Sequence, residues 1–137
     1  WYGGANAIYS RSLKDPANNF ALEVHQYFDK DSSGTSEEEV VSETIGVERV
    51  RGFTEWCRKH RFKAFLGEFG VPATESGRKC VQNLLAQMEK DRDVWLGWNW
   101  WAAGAWWGDY PFSLEPQGGK DKPQMAFLAP HLPKPRK

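Results

Sequence analysis

Residues 63–69, KAFLGEF, alternate with the two-residue period of a β-strand. Phe65 and Phe69 fall on one face; Ala64, Leu66 and Glu68 fall on the other. Helical periods flank this run on both sides. From Ile45 to His60, apolar groups recur at Val47, Val50, Phe53, Trp56 and Cys57, near a 3.6-residue spacing. From Ser76 to Lys90, Val81, Leu84, Leu85 and Met88 form a cleaner stripe, with Ser76 the expected N-cap. Two more strand patterns lie beyond the helices, FALEVHQY at 20–27 and VWLGWNWW at 94–101.

Strand, helix, strand, helix, strand predicts a parallel sheet with right-handed crossovers, an α/β fold. The oily faces should cover the helices: Phe20, Leu22 and Val24; Phe65 and Phe69; Val94, Leu96, Trp98 and Trp100. The opposite face then carries Glu23, His25, Tyr27, Leu66, Glu68, Trp95 and Trp101. In parallel α/β folds, function sits at the C-terminal ends of strands, where His25, Tyr27, Glu68 and Trp101 fall. After Tyr110 the chain is rich in Gly and Pro, with room for a short helix around 124–129. There is no repeat of fixed length and no linker, so residues 1–137 are expected to form one domain.

Composition narrows the partners. With 18 basic and 18 acidic residues among 137, nothing electrostatic points to nucleic acid or to an anionic membrane. No apolar run approaches the roughly 20 residues of a membrane span. The basic tail PKPRK, 133–137, reads as a solvated terminus, and the start WYGGANAIYS, without Met or signal pattern, as mid-protein sequence. Cys57 and Cys80 fall on the two helices, where thiols are more often buried than bonded. Eight tryptophans are the unusual feature, and five of them lie within the ten positions 98–107. In a chain of zero net charge, such an excess suggests a platform for a flat, uncharged ligand.

Each candidate also has a plainer reading. Glu68 alone could be a salt-bridged structural carboxylate, His25 and Tyr27 a satisfied core pair, and Trp101 simple core. Together, at three strand ends, they form a constellation. Glu23, two steps below His25, reads as structural. The segment DKDSSG, 29–34, imitates the start of a calcium loop, but its twelfth position is Val40, with Glu39 one place early, so it reads instead as a cleft wall.

The order HQY, then GEFG, then WWAAGAWWGDY resembles glycoside hydrolase family 5, in particular its fungal-type and related bacterial endoglucanases. EVHQYFDKDSSGT and WWAAGAWWGDYPFSLEP carry the resemblance most specifically. It implies an eight-stranded TIM (β/α)8 barrel, of which this chain is the C-terminal half, its strands corresponding to strands six to eight. It implies a secreted, extracellular enzyme that cleaves internal β-1,4-glucosidic bonds with retention and without metal or organic cofactor. By motif, Glu68 matches the nucleophile and His25 and Tyr27 the strand-six pair around the reacting sugar. Trp101 matches the ring beneath that sugar and Trp106 a cleft aromatic in the next loop, so Trp106 and Trp107 are expected to line the cleft with it. The family's acid/base Glu stands in an Asn-Glu pair that this chain lacks, and WYGGAN resembles the segment after strand five. A full barrel takes about 250 residues. The family's cysteine after strand six has no counterpart in TSEEEVVSET, 35–44, which leaves Cys80 without that partner. The expected partners are a β-glucan polysaccharide or oligosaccharide, and either a second copy or a separate N-terminal half. The missing acid would come from such a partner, from Glu68 of a second copy, or from Asp109. Beside this reading stand a non-catalytic carbohydrate-binding module, an inactive fragment, and mannan in place of glucan.

Overall fold

The computed structural model describes residues 5–36 and 40–133. The first four residues of WYGGAN, Glu39 of the calcium-loop reading and the last four residues of the PKPRK tail lie outside the described residues. In chain order the elements are α1 (Ala5–Ser10), β1 (Ala21–His25), α2 (Ile45–His60), β2 (Lys63–Glu68), α3 (Glu75–Lys90), β3 (Trp95–Trp98) and α4 (Met125–Leu128). Two 3-10 turns, Ala105–Trp107 and Ala129–His131, complete the set. The strands form one parallel sheet in the order β1-β2-β3.

The two long helices form where the apolar stripes require them. In α2 the buried stripe is Val50, Phe53, Thr54 and Cys57, and in α3 it is Cys80, Val81, Leu84, Leu85 and Met88. α2 stops at Arg61, whose left-handed backbone (φ 62°) turns its N–H back to the carbonyls of Arg58 and Cys57. α3 begins one residue earlier than its stripe suggested. Thr74, not Ser76, is its cap and accepts a hydrogen bond from the Gly77 N–H at 3.1 Å. Ser76 lies inside the first turn. Both cysteines are free and buried between helices and sheet. The short helix α1 has no buried residue and carried no periodic signal.

Two bulges correct the expected faces. Between β1 and β2, Val24 pairs with Leu66 but His25 pairs with Glu68, so β2 spends one extra residue there. Between β2 and β3, Ala64 pairs with Trp95 but Phe65 pairs with Gly97, and Leu96 is the extra residue. A single inserted residue reverses every later side chain relative to strict alternation. Hence Ala64, Leu66 and Trp95 belong to the helix-side core, while Phe65 meets Gly97 on the open face. The expected placements of Ala64, Leu66, Phe65 and Trp95 were therefore reversed. Leu96, expected beneath the helices, is 62% exposed. Phe69, Trp98 and Trp100 pack on the helix side as expected, as do Leu22 and Val24. Phe69 meets the edges of Trp98 and Trp100 at 5.8 and 5.3 Å, and the Trp95 indole donates to the Thr54 hydroxyl of α2 at 3.0 Å.

Candidate active site at the strand ends

The bulge at Gly67 and Glu68 places the Glu68 carboxylate at the C-terminal end of the central strand, 16% exposed. Its backbone is fixed from β1, because the Gln26 N–H donates to the Glu68 carbonyl at 3.0 Å. Its carboxylate has two partners. The Tyr27 hydroxyl donates to Oε1 at 2.5 Å, and His25 Nδ1 lies 3.3 Å from Oε2. The sheet thus brings together the three residues that the sequence singled out at two strand ends.

Tyr27 is buried, and the loop after β1 folds over its ring. Gly34, at φ +73°, makes this approach, since a Cβ there would meet the Tyr27 ring at 2.6 Å. The segment DKDSSG therefore packs against the Tyr27 ring through Gly34. Asp29 organises it, with Oδ2 accepting from the Ser33 hydroxyl and the N–H groups of Thr35 and Ser36. Burial raises the Asp29 pKa, but the N–H groups and hydroxyl around it outweigh this and hold the carboxyl below its usual range. Burial, then the hydrogen bond with Glu68, pushes the Tyr27 hydroxyl far above its ordinary value, so it remains a donor.

The third strand end supplies rings. Past β3 the backbone keeps pairing with the centre: Asn99 N–H donates to Leu66 O and Trp101 N–H to Phe69 O, both at 2.8 Å. The Trp101–Ala102 peptide is cis. Trp101 is 36% exposed and meets Trp107 edge-on at 5.0 Å; Trp106 meets Trp107 at 5.1 Å and is 87% exposed. An open groove of about 340 Å³ lies between Gly67, Asn99, Trp101, Ala103 and Trp107. The loop is pinned from behind: Leu114 N–H donates to Ala102 O at 2.8 Å, and Gly104 N–H to Glu115 Oε2 at 3.0 Å. Asp109 is exposed on the same loop.

Two residues join the site that the sequence did not assign to it. Tyr110 packs against Trp107 and Phe112, at 5.2 and 5.4 Å, and shares a hydrogen bond with Tyr27. Burial foremost, and the charge of Glu68, raise the Tyr110 pKa despite that bond. It follows a 3-10 turn in a loop, where no periodicity announces a direction. Glu23 reaches His25, its Oε1 lying 3.2 Å from Nε2. Its position on the same face as His25 was the available signal. Among the described residues no cluster of His, Cys, Asp and Glu could hold a metal, and no helix is long and apolar enough to cross a membrane.

Residues 1–104 match the family model described as cellulase, glycosyl hydrolase family 5. The chain is 47% identical over 109 residues to the probable endo-beta-1,4-glucanase B of Aspergillus kawachii, covering 80% of this chain and 32% of that protein. It is 48% identical over 119 residues to endo-beta-1,4-glucanase B of Emericella nidulans, covering 87% and 36%. Among solved structures, the endo-beta-1,4-glucanase Xac0029 from Xanthomonas axonopodis pv. citri aligns with a TM-score of 0.88 at 52% identity, over 91% of this chain and 40% of that one. XacCel5A in complex with cellopentaose aligns at 0.90 and 50% identity, over 96% and 42%. The chain spans about a third of the length of these curated relatives. Its parallel sheet and helices are a partial (β/α)8 barrel, matching about 40% of the solved structures.

Proposed function

Because this chain belongs to glycosyl hydrolase family 5, the cellulase family, we propose that it is the nucleophile-bearing part of a retaining endo-β-1,4-glucanase. The observation that carries this reading is the Glu68 carboxylate held between the Tyr27 hydroxyl and His25 beside the Trp101–Trp107 groove. In this reaction a Glu68 oxygen attacks the anomeric carbon, the bond to the leaving glycosidic oxygen breaks, and that oxygen takes a proton from a second carboxyl. Tyr27 orients the attacking carboxylate, and His25 lies beside its other oxygen. Trp101 offers its ring face to the C–H groups of the reacting sugar, and Trp106 and Trp107 extend that platform to neighbouring sugars. Two carboxyls and water suffice, so no metal or organic cofactor takes part.

Glu23 is engaged with His25, so the proposed acid comes from outside these residues, with Asp109 of the Trp-rich loop the alternative within the chain. A retaining pair is only about 5–5.5 Å apart, so the acid must be delivered across the open face of the sheet. A second copy or a separate N-terminal part of the barrel is the proposed donor. The substrate is a β-1,4-glucan chain, the class to which the cellopentaose bound by XacCel5A belongs. So large a polymer is met outside the cell, which assigns the enzyme to an extracellular setting. All 137 residues are assigned to one domain of this half-barrel.

The test is activity of the purified chain on a soluble cellulose derivative, alone and mixed with an N-terminal part of a relative. Glu68→Gln should abolish hydrolysis while oligosaccharide binding persists. Hydrolysis surviving that substitution overturns the assignment of the nucleophile. Binding without hydrolysis in every mixture favours a carbohydrate-binding module, and the almost fully exposed Trp106 is what makes that second reading worth testing.

A further inference from the structure

The Glu23 side chain is 60% exposed, yet its carboxylate has a defined seat. It crosses from β1 over the backbone of Gly67 on β2, where a Cβ would stand only 1.8 Å from Glu23 Oε1. Any side chain at position 67 would evict it. From this seat the same Oε1 meets His25 Nε2 at 3.2 Å, while Nδ1 on the other side of the ring faces Glu68 Oε2 at 3.3 Å. One imidazole therefore stands between two carboxylates. We infer that Glu23 is a positioning residue of the site: seated over Gly67, it holds His25 by Nε2 and turns Nδ1 toward Glu68. The consequence for catalysis rests on the reading of Glu68 as nucleophile.

The hydrogen-bond inventory sharpens the inference. Ionised carboxylates only accept, and a neutral imidazole carries a single N–H. With a carboxylate facing each ring nitrogen, the imidazole is held from both sides, and Glu23 fixes the nitrogen that Glu68 does not meet. The other groups around the imidazole do not replace Glu23. Tyr27 and, behind it, Tyr110 address the opposite oxygen of Glu68, and the Arg49 guanidinium of α2 donates to the Tyr27 carbonyl at 2.6 Å.

The experiment is a long-range 1H–15N correlation on the 15N-histidine-labelled 137-residue chain at pH 7, with His25 assigned by its loss in His25→Gln. Glu23→Gln removes the charge but keeps the shape. Gly67→Ala keeps every ionisable group and displaces only the end of a flexible side chain. Both should move the His25 Nε2 resonance and change its long-range cross-peak pattern, because that nitrogen loses its carboxylate partner. His60 and His131 serve as internal controls, and urea midpoints establish that the variants fold. The same His25 spectrum in the wild type and both variants overturns the inference. The readout needs no sugar and no turnover, so a failure of the proposed hydrolysis leaves it standing, and an active enzyme with an unchanged His25 refutes it alone.

Discussion

The Tyr27 hydroxyl and Glu68 Oε1 are 2.5 Å apart, a bond that ties the end of β1 to the end of the central strand through one carboxylate. Tyr27 is held for this contact by Gly34 on one side and by Phe112, whose ring centroid is 6.3 Å away, on the other. Nothing else in its environment asks for a hydroxyl except Tyr110, which extends the same chain of groups. The tyrosine is thus built into the core by its ring and into the site by its oxygen.

Tyr27→Phe separates these two roles, since the ring remains and only the donor is lost. A hydrogen bond to a charged group is worth about 1.5–3 kcal/mol, which converts to about ten- to a hundredfold in rate. Steady-state kinetics of the reconstituted enzyme should show kcat falling by that factor with KM little changed. A normal kcat with a lowered unfolding midpoint would make Tyr27 a structural residue.

Three buried acids and the half-buried Tyr110 make the fold sensitive to alkali. Burial raises the Cys57 thiol to about 12 and the Cys80 thiol to about 11, from an ordinary 9.0, and raises Tyr27 and Tyr110 above 10.0. Groups raised on folding stabilise fully below their unfolded pKa, and that contribution is lost as pH climbs toward the folded value. Stability should therefore hold to about pH 9 and decline above it, first through the thiols and then through the tyrosines. Urea midpoints at pH 7, 9 and 10.5 measure this, and Cys57→Ala with Cys80→Ala should flatten the first part of the decline. The same burial predicts that neither thiol reacts promptly with Ellman's reagent at pH 8 until urea is added. Prompt labelling of one native thiol would contradict the packing described.

What the sequence made legible follows the strength of its periodicities. Helix α2 occupies the span its stripe marked, Ile45–His60, because sixteen residues average out a stray Gly46 or Gly52. The three strand ends were legible because alternation fixes direction over a few residues, and HQY and GEFG stand at those ends. The faces of Phe65, Leu66 and Trp95 were not, because each bulge shifts the period by one and no residue type announces it. Gly67 stands at the first bulge, and the space a side chain would need there is taken by Glu23, a contact that strand alternation does not encode. Tyr110 and the pin from Glu115 to Gly104 depend on a loop closing on itself, which a one-dimensional pattern does not encode.

The tryptophans should divide by function. Trp101→Ala should weaken cello-oligosaccharide binding by about 1–3 kcal/mol, as for loss of a stacked ring, with little effect on the unfolding midpoint. Trp98 packs on Phe69 beneath the helices, so Trp98→Ala should cost about 3–5 kcal/mol of stability. Calorimetry of both variants with cellopentaose distinguishes the roles. Equal losses of binding with both folds intact would place the platform elsewhere.

The last expectation concerns the open edges. Among the described residues β1 and β3 each pair only with β2, so both outer edges present unpaired N–H and C=O groups. The β3 edge also bares an apolar side chain: Leu96 is 62% exposed beside a hollow of about 420 Å³, where Leu85, Met88, Trp95 and Trp98 are rimmed by Glu89 and Arg92. This hollow lies away from Glu68, so sugar binding does not explain it. Covering such surface yields about 25 cal/mol per Å², and an uncovered edge recruits strands. The chain should therefore self-associate at micromolar concentration, or bind a separately produced N-terminal part of a relative in its place. Leu96→Lys puts a charge on that edge without touching the helix-side core, and should shift light scattering toward monomer and abolish complementation. If the wild-type chain is a compact monomer that unfolds cooperatively and ignores the added part, the edge is self-sufficient. The route by which an outside acid reaches Glu68 is then closed, and hydrolysis by any assembly of this chain goes with it.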